Sequence, residues 1–294
     1  MEEIAKQTGL SKVSTHKSKN QIFELLKSIK RNKRACIGLV IVAAVILIAL
    51  LAPIISPCDP YKQDLNIRLA EIGTKGHILG TDEYGRDMLS RLIYGTRLSL
   101  LVGFFSVVFG LAFGVILYYS ALDTLIMRVV DVLLAFPGVL LALAIVSALG
   151  PGLVNVIIAI GIWSIPTVAR VVRSTVLYIK ELDYVTAAKS IGESDSYILF
   201  KEILPNCTSS VIVYATMRLA TAILSASTLS FLGLGAQPPL SEWGAMAATG
   251  RNYIYQAPHL TLLPGFAIIL VVYAFNSLGD GLRDALDPNL KNAI

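Results

Sequence analysis

The sequence predicts an all-α integral membrane protein with six transmembrane helices, and three observations support this. Of its 294 residues, 55% are hydrophobic and only 15% are charged, whereas about a quarter of the residues of a soluble domain are charged. Apolar runs long enough to cross a bilayer recur along the chain. Nine Lys and Arg residues precede the first run and supply most of the net charge of +5, which indicates a membrane surface rather than a nucleic acid as the partner.

Residues 1–35 are predicted to form a cytoplasmic tail. Their basic side chains place the N-terminus in the cytoplasm by the positive-inside rule, and the long polar stretch argues against a cleavable signal peptide. Within the tail, residues 21–34 predict an amphipathic helix with four large apolar side chains on one face. Such a basic helix would lie on an anionic leaflet, although a solvated basic tail fits the pattern nearly as well.

The six apolar runs predict spans at residues 36–55, 98–119, 129–149, 153–172, 208–231 and 259–278. An even number of spans returns the chain to its starting side, so both termini of this cell-membrane protein are expected in the cytoplasm. The Phe-Pro-Gly sequence at residues 136–138 predicts a kink in the third span. The Gly-Pro-Gly sequence at residues 150–152 predicts a tight external turn after that span.

Residues 56–97 are predicted to form an extracellular loop. Its last part has apolar residues with helical spacing from Met88 to Ile93, which predicts an interfacial helix leading into the second span. Four charged residues of the same stretch can form ion pairs that hold it in place: Asp82, Arg86, Asp87 and Arg91. Balanced charges usually serve packing and orientation, so a structural role is favoured over contact with a substrate.

The longest polar interval in the second half of the chain, residues 181–206, lies between the fourth and fifth spans on the predicted cytoplasmic side. It predicts two short helices, at residues 182–191 and 195–203. Gly192 separates the two helices at a position expected to need a positive φ. Ser194 is the expected N-cap of the second helix.

The candidate docking residues of this loop are small or stand at its turns. Two adjacent alanines make the first helix a low ridge that a groove on another protein can accept. A Leu-Pro pair is expected to end the second helix, because the residue before proline disfavours the α region. The candidates are Asp183, Thr186, Ala187, Ala188, Gly192, Leu204 and Pro205. An ordinary amphipathic connector is the alternative.

One basic residue, Arg218, lies well inside the predicted fifth span. A charged residue within a span is a functional candidate by default, so Arg218 is a candidate for lining a translocation path. An arginine that snorkels to an interface or pairs with a neighbour fits the sequence equally well.

Motifs for chemistry are absent from the sequence. It has no GxxxxGK[ST] motif and no plausible nucleophile–base pair, so the chain is not expected to hydrolyse ATP. The three cysteines and three histidines lack metal-ligand spacing, and neither a metal site nor a disulfide is predicted. Energy for any transport would therefore have to come from a partner.

Three separated stretches resemble one family. The alanine pair, the glycine four residues after it and the Leu-Pro pair resemble the "EAA" loop of ATP-binding-cassette (ABC) importer permeases. Residues 80–100, GTDEYGRDMLSRLIYGTRLSL, and 231–246, FLGLGAQPPLSEWGAM, resemble the dipeptide, oligopeptide and nickel branch of that family. Thr186 departs from the pattern, because the family usually has glutamate there; Glu181 or Asp183 would have to supply the charge.

The resemblance implies a type I ABC importer permease, the second or C-type subunit, with its core at residues 98–290 and residues 181–206 as a cytoplasmic coupling helix. It implies three kinds of partner besides the bilayer: a second homologous permease, two ABC ATPases that hold ATP and Mg, and an extracellular solute-binding protein. No cofactor is expected in this chain itself. The implied cargo is a di- or oligopeptide, with nickel or a metal chelate as the alternative.

Two readings from other classes stay open at this point. The chain would be a membrane scaffold if it docks a cytosolic partner without moving solute. A secondary transporter would need its own ion site, and the scarcity of polar residues in the spans weighs against it.

Overall fold

Ten α-helices lie within residues 32–118 and 123–286, which are the residues that the computed structural model describes. They are α1 (Lys33–Ile55), α2 (Met88–Tyr118), α3 (Asp123–Leu134), α4 (Gly138–Leu149), α5 (Leu153–Lys180), α6 (Asp183–Ser190), α7 (Asp195–Tyr197), α8 (Leu204–Phe231), α9 (Trp243–Gly250) and α10 (His259–Leu286). A π-helical turn, Ile198–Ile203, joins α7 to α8, and 3-10 turns occur at Leu65–Ile67 and Arg251–Tyr253.

The helices support the prediction of six spans. Five of them are long and apolar enough to cross a membrane, namely α1, α2, α5, α10 and the continuous helix Ile198–Phe231. The sixth candidate is the pair Met127–Leu134 and Gly138–Leu149, whose axes are bent by 97°. The predicted kink is therefore confirmed and is a sharp break, because Pro137 lies outside both helices as the N-cap of α4 and disfavours the α conformation of the residue before it.

Several helices extend beyond the predicted spans. α2 begins at Met88, so the predicted interfacial helix is continuous with the second span. α5 continues to Lys180 and α10 to Leu286, because backbone hydrogen bonding does not stop where the apolar run stops. Of the predicted tail helix, residues 21–31 lie outside the described residues, while Lys33 and Arg34 belong to α1.

The expected helix end at Leu204-Pro205 is wrong. The chain continues without a break from the π-helical turn into α8, with proline in the first positions of that helix. A proline is tolerated there because its missing N–H is not needed in the first turn, and the wider π-helical turn accommodates the change in hydrogen bonding.

Close approaches between helices occur at small residues. α2 and α5 cross where a Cβ added at Gly110 would lie only 2.6 Å from the Cβ of Ser164. α1 packs on α10 where a Cβ at Gly38 would lie 2.8 Å from the carbonyl oxygen of Ala274 and 2.9 Å from the amide nitrogen of Leu278. Small residues on spans allow backbones to approach in this way, which increases dispersion contacts where lipid provides no hydrophobic drive.

The two ends of the bundle differ in character. One end, called the loop end here, carries residues 56–87 and 232–258. One hydrogen bond joins the two segments, from Arg68 Nη2 to Tyr253 Oη. Two more join the second segment to the start of α2: Arg91 Nη1 donates to the carbonyl of Pro239, and Trp243 Nε1 donates to the carbonyl of Leu92. The opposite end, the α6 end, carries α6, α7 and the π-helical turn.

The contact between α1 and α10 leads to a prediction. Gly38→Val places three additional carbon atoms against the backbone of α10, and overpacking of this kind costs about 1–3 kcal/mol. The matched control is Gly265→Val in α10, where an added Cβ meets no atom within 4 Å. In detergent, we expect Gly38→Val to unfold at a lower temperature than the parent chain, and Gly265→Val to unfold at the same temperature as the parent chain. Equal stability of the two variants would contradict this packing.

Candidate coupling loop and membrane arginine

α6 is held on the bundle by one fully buried side chain. Val185 is 0% exposed and lies in an apolar cluster with α5, the π-helical turn and α8: Val168, Val172, Val176, Ile179, Ile198, Ile203 and Cys207. Asp183 in the first turn and Lys189 in the last turn carry the charges that the helix dipole favours at each end. The helix is short, so this packing rather than helix propensity fixes its position.

The two alanines of α6 face different surroundings. Ala187 and Thr186 are exposed, whereas Ala188 is half-buried and packs against the cluster around Val185. Both alanines were expected on the docking ridge, but only Ala187 lies fully on the outer face. Part of the small-residue pattern therefore serves the packing of this chain on itself.

The turn after α6 depends on glycine, as expected. Gly192 has a φ of +86°, a conformation that side chains with a Cβ rarely adopt. The amide of Gly192 donates to the carbonyl of Lys189 at 3.0 Å, and the amide of Glu193 donates to the carbonyl of Ala188 at 3.2 Å. These bonds give hydrogen-bond partners to two carbonyls in the last turn of the helix. Ser194 is the N-cap of α7, since its hydroxyl accepts from the amide of Tyr197 at 3.3 Å. Both sequence predictions for this turn are confirmed.

Large apolar side chains are exposed around this turn. Ile191 is 78% exposed and Phe200 is 63% exposed, and Tyr197 is also exposed. Large exposed apolar side chains at a turn are candidates for contact with a partner. Asn206 of α8 joins α6 to the π-helical turn, because its Nδ2 donates to Tyr184 Oη at 3.1 Å and to the carbonyl of Glu202 at 2.6 Å.

Arg218 lies at the middle of α8, 14 residues after Leu204 and 13 before Phe231. At about 1.5 Å per residue, that is about 20 Å from either end of the helix. Its Nη2 donates to Ser164 Oγ at 2.7 Å, and its Cζ lies 4.9 Å from the ring centroid of Trp163. Its Nε is buried without a partner. No carboxylate pairs with this guanidinium in residues 32–118 or 123–286.

Trp163 also touches the bend between α3 and α4. A Cβ added at Gly138, the first residue of α4, would overlap the indole ring. One tryptophan therefore contacts both the break in the third span and the arginine in the fifth. A movement of the bend would shift the surface on which the guanidinium stacks.

At the loop end, the predicted ion pairs form among Asp82, Arg86 and Arg91. Asp82 Oδ2 lies 2.6 Å from Arg86 Nε and 3.2 Å from Arg91 Nε, and all three side chains are nearly fully buried. Arg86 also pairs with Glu83, whose carboxyl pKa is raised by burial and by the neighbouring Asp82. Asp87 instead pairs with His77. The network is consistent with the predicted structural role, since its buried charges are paired with one another and Arg91 also donates to the carbonyls of Pro60 and Pro239.

Sequence reasoning missed two features of the loop end. Glu242 is 1% exposed and caps α9, with Oε2 accepting from the amide of Ala245 at 2.9 Å; burial raises the pKa of its carboxyl. Glutamate is not one of the preferred N-cap residues, so the sequence carried little signal for this cap. Cys58 and His77 come together with Asp87, which no local spacing could indicate.

Comparison with known proteins identifies the family. Residues 106–292 match the "Binding-protein-dependent transport system inner membrane component" family, and residues 21–71 match the "N-terminal TM domain of oligopeptide transport permease C". The dipeptide transport permease DppC of Alkalihalophilus pseudofirmus is 47% identical over 275 residues, covering 92% of this chain and 90% of that protein. The glutathione transport permease GsiD of Pectobacterium atrosepticum is 48% identical, covering 85% of each.

The chain belongs to the dipeptide and oligopeptide permease family of ABC importers. The solved structure of the MetNI methionine ABC transporter in an inward-facing conformation matches with a TM-score of 0.54 and 22% identity, over 68% of this chain and 98% of that chain. A solved amino acid ABC transporter matches with a TM-score of 0.52 and 16% identity, over 65% and 92%. These two likenesses show the fold, an ABC importer permease of type I.

Membership in this family decides between the classes left open by the sequence. A multi-pass membrane permease subunit is shown, and the scaffold and the secondary transporter are not favoured. α6 occupies the part of this permease that the resemblance identified as the coupling helix. The docking role of its individual residues and the transport role of Arg218 stay predictions.

Proposed function

We propose that this chain is the second permease subunit of an ATP-driven importer that carries short peptides across the cell membrane. The similar permeases named above serve dipeptide and glutathione transport, and a permease for di- and tripeptides in Pseudomonas aeruginosa is 47% identical over 92% of this chain. None of these three relatives is named for nickel or a chelate, so the peptide is the favoured cargo.

One observation carries the mechanism: α6 is a short helix fixed to the bundle by Val185, with an exposed outer face. A rigidly held helix transmits force from a docked partner to the bundle, whereas a loose loop would absorb it. The proposed partners at this face are two ABC ATPases that hold ATP and Mg. A second homologous permease would complete the path, and an extracellular solute-binding protein would deliver the peptide to the loop end.

This assignment requires the α6 end to face the cytoplasm, with both termini on that side. The basic residues before α1 favour that orientation. In a background without the native cysteines, we expect Lys75→Cys to react with an impermeant thiol reagent on intact cells and Ser194→Cys to react only after the membrane is opened. Both positions are exposed, so local burial would not explain a difference. Labelling of position 194 from outside would overturn the orientation.

The turn after α6 provides a test of docking. Gly192→Val forces a β-branched residue to a positive φ, which costs about 1–3 kcal/mol, although an added Cβ itself meets no atom. We expect this variant to insert in the membrane but to lose ATPase co-elution or transport per ATP hydrolysed. Gly233→Val is the matched control: its φ is +83°, it has equal space, and it lies at the loop end. Equal ATPase association together with equal transport per ATP hydrolysed in both variants would contradict docking at α6.

The outer face of α6 provides a second, independent variant of the same test. Ala187→Asp adds a charge where the partner's groove should close, and an unpaired buried charge is expensive. It is preferable to Ala188→Asp, because Ala188 also packs inside this chain. Thr186→Glu restores the residue usual in the family and should leave association intact. If Ala187→Asp keeps full association and coupling, the exposed ridge is not the docking element.

We further propose that Arg218 lines the translocation path and attracts the carboxylate of the peptide. A cation in the middle of a span is costly unless it faces water or an anion, and no acidic side chain of the described chain neutralises it. Its contacts with Ser164 and Trp163 hold the guanidinium in place, and the residue is only half-buried. Every peptide with a free C-terminus supplies a suitable anion.

Arg218→Ala should lower the apparent affinity for peptide uptake by about 10-fold or more, since a hydrogen bond to a charged group contributes about 1.5–3 kcal/mol. Arg218→Lys should recover part of the loss. The control is Arg170→Gln, which removes the exposed pair with Asp131 and should change uptake little. The measurement is peptide uptake by proteoliposomes containing the assembled complex. Loss of assembly in Arg218→Ala would indicate a structural arginine, and unchanged uptake would exclude this role.

A further inference from the structure

Three potential metal ligands meet at the loop end. The Cys58 thiol, the His77 imidazole and the Asp87 carboxylate each offer one ligand atom, and these atoms all lie within 4.8 Å of one another. His77 Nδ1 and Asp87 Oδ1 are 2.9 Å apart. The three residues come from the start of the 56–87 segment, from its middle and from the residue before α2, so only the folded loop brings them together.

The surroundings hold this cluster in place. Asp87 is 2% exposed, and its Oδ2 accepts from the amide of Ser90 at 2.7 Å and from the hydroxyl of Ser90 at 2.6 Å. The same hydroxyl accepts from the amide of Cys58 at 3.0 Å. Ser90 is itself fully buried, so it sets the carboxylate and the cysteine backbone relative to each other. Outer hydrogen bonds of this kind are what orient the ligands of metal sites.

We propose that Cys58, His77 and Asp87 bind one Zn²⁺ ion, or a divalent cation of similar borderline softness, with a fourth position open to water. Cysteine sulfur, histidine nitrogen and carboxylate oxygen are each zinc ligands, and three protein ligands plus water is the coordination of an open zinc site. Magnesium and calcium are disfavoured, because they require oxygen ligands. The inference does not depend on the peptide cargo or on the ATPase partners.

The distances require only a small adjustment. Zinc bonds of about 2.0–2.3 Å place neighbouring ligand atoms about 3.3–3.5 Å apart in a tetrahedral site. The histidine and aspartate atoms, which are 2.9 Å apart, would have to separate slightly, and the cysteine thiol, which lies within 4.8 Å of both, would have to move closer to them. Binding replaces the His77–Asp87 hydrogen bond and releases the thiol proton to solvent, as metal binding to cysteine requires.

A cation bound to Cys58, His77 and Asp87 would cross-link three separate parts of the 56–87 segment. The bound segment begins after α1 and ends at α2, where Arg91 holds the loop to the carbonyls of Pro60 and Pro239. Tying Cys58 and His77 to Asp87 would therefore stabilise the platform formed by both loops. Binding to the folded state alone raises stability in proportion to the logarithm of the free metal concentration.

The test uses the full-length chain purified in detergent without a polyhistidine tag and stripped with a chelator. Zn²⁺ is titrated by calorimetry, and Co²⁺ is used as a spectroscopic probe for a thiolate ligand. We expect one equivalent of Zn²⁺ to bind, a thiolate-to-cobalt charge-transfer absorption, and a rise in the unfolding temperature with Zn²⁺. Cys58→Ser should abolish the absorption and weaken binding by about 100-fold or more, since even outer-sphere changes cost about 10–100-fold.

Cys58→Ser is the least disruptive variant, because the described hydrogen bonds of Cys58 are made by its backbone. Its unfolding temperature without metal should equal that of the parent chain, which separates a lost ligand from a lost fold. Cys207→Ser is the matched control and should keep both the absorption and the affinity. Failure of the parent chain to bind Zn²⁺, a Co²⁺ spectrum without thiolate absorption, or unchanged affinity in Cys58→Ser would each overturn the proposal.

Discussion

The close crossing of α2 and α5 determines much of what this bundle can do. Gly110 lets the two backbones approach at Ser164. The hydroxyl of Ser164 donates a hydrogen bond to the carbonyl of Ile160 at 2.7 Å. The serine oxygen is then oriented to accept from Arg218 of α8. A larger residue at position 110 would separate α5 from α2, so one small residue underlies the only described side-chain hydrogen bond made by the mid-membrane arginine.

α5 also connects that arginine to the α6 end. The same helix that carries Trp163 and Ser164 carries Val176 and Ile179, which pack on Val185 of α6. Ser164 and Ile179 are 15 residues apart, or about 22 Å along a helix axis. A force applied to α6 would therefore reach the guanidinium through one continuous helix and two packed contacts. If an ATPase docks at α6 as proposed, this path would connect it to the arginine.

The loop end is built on a different principle. Asp82, Arg86 and Arg91 are nearly fully buried and satisfy one another by ion pairs of 2.6 and 3.2 Å. Buried pairs of this kind cost desolvation energy, and removing one partner leaves an uncompensated charge. Their value lies in specifying one arrangement of loop segments, and Arg91 extends that arrangement to the second loop through the carbonyl of Pro239.

The sequence by itself determined the features that depend on neighbouring residues. The spans ending at Ile55 and Phe231 and the span beginning at His259 followed from apolar runs. The positive φ of Gly192 and the N-cap at Ser194 followed from local backbone preferences. Ion pairing around Asp82 followed from charges a few residues apart. In each case the interacting groups lie within one segment of chain.

Only the tertiary structure decided the features that depend on distant segments. The half-burial of Ala188 depends on the packing of α6 against the bundle. The local sequence predicted a kink in the third span but not its angle of 97°, and it did not predict that the helix continues through Pro205. The stacking of Arg218 on Trp163, across 55 residues of sequence, also depends on packing between helices. Periodicity and turn preferences describe the chain over a few residues, whereas the energy of close packing depends on which helices meet, and that information is spread over the whole sequence.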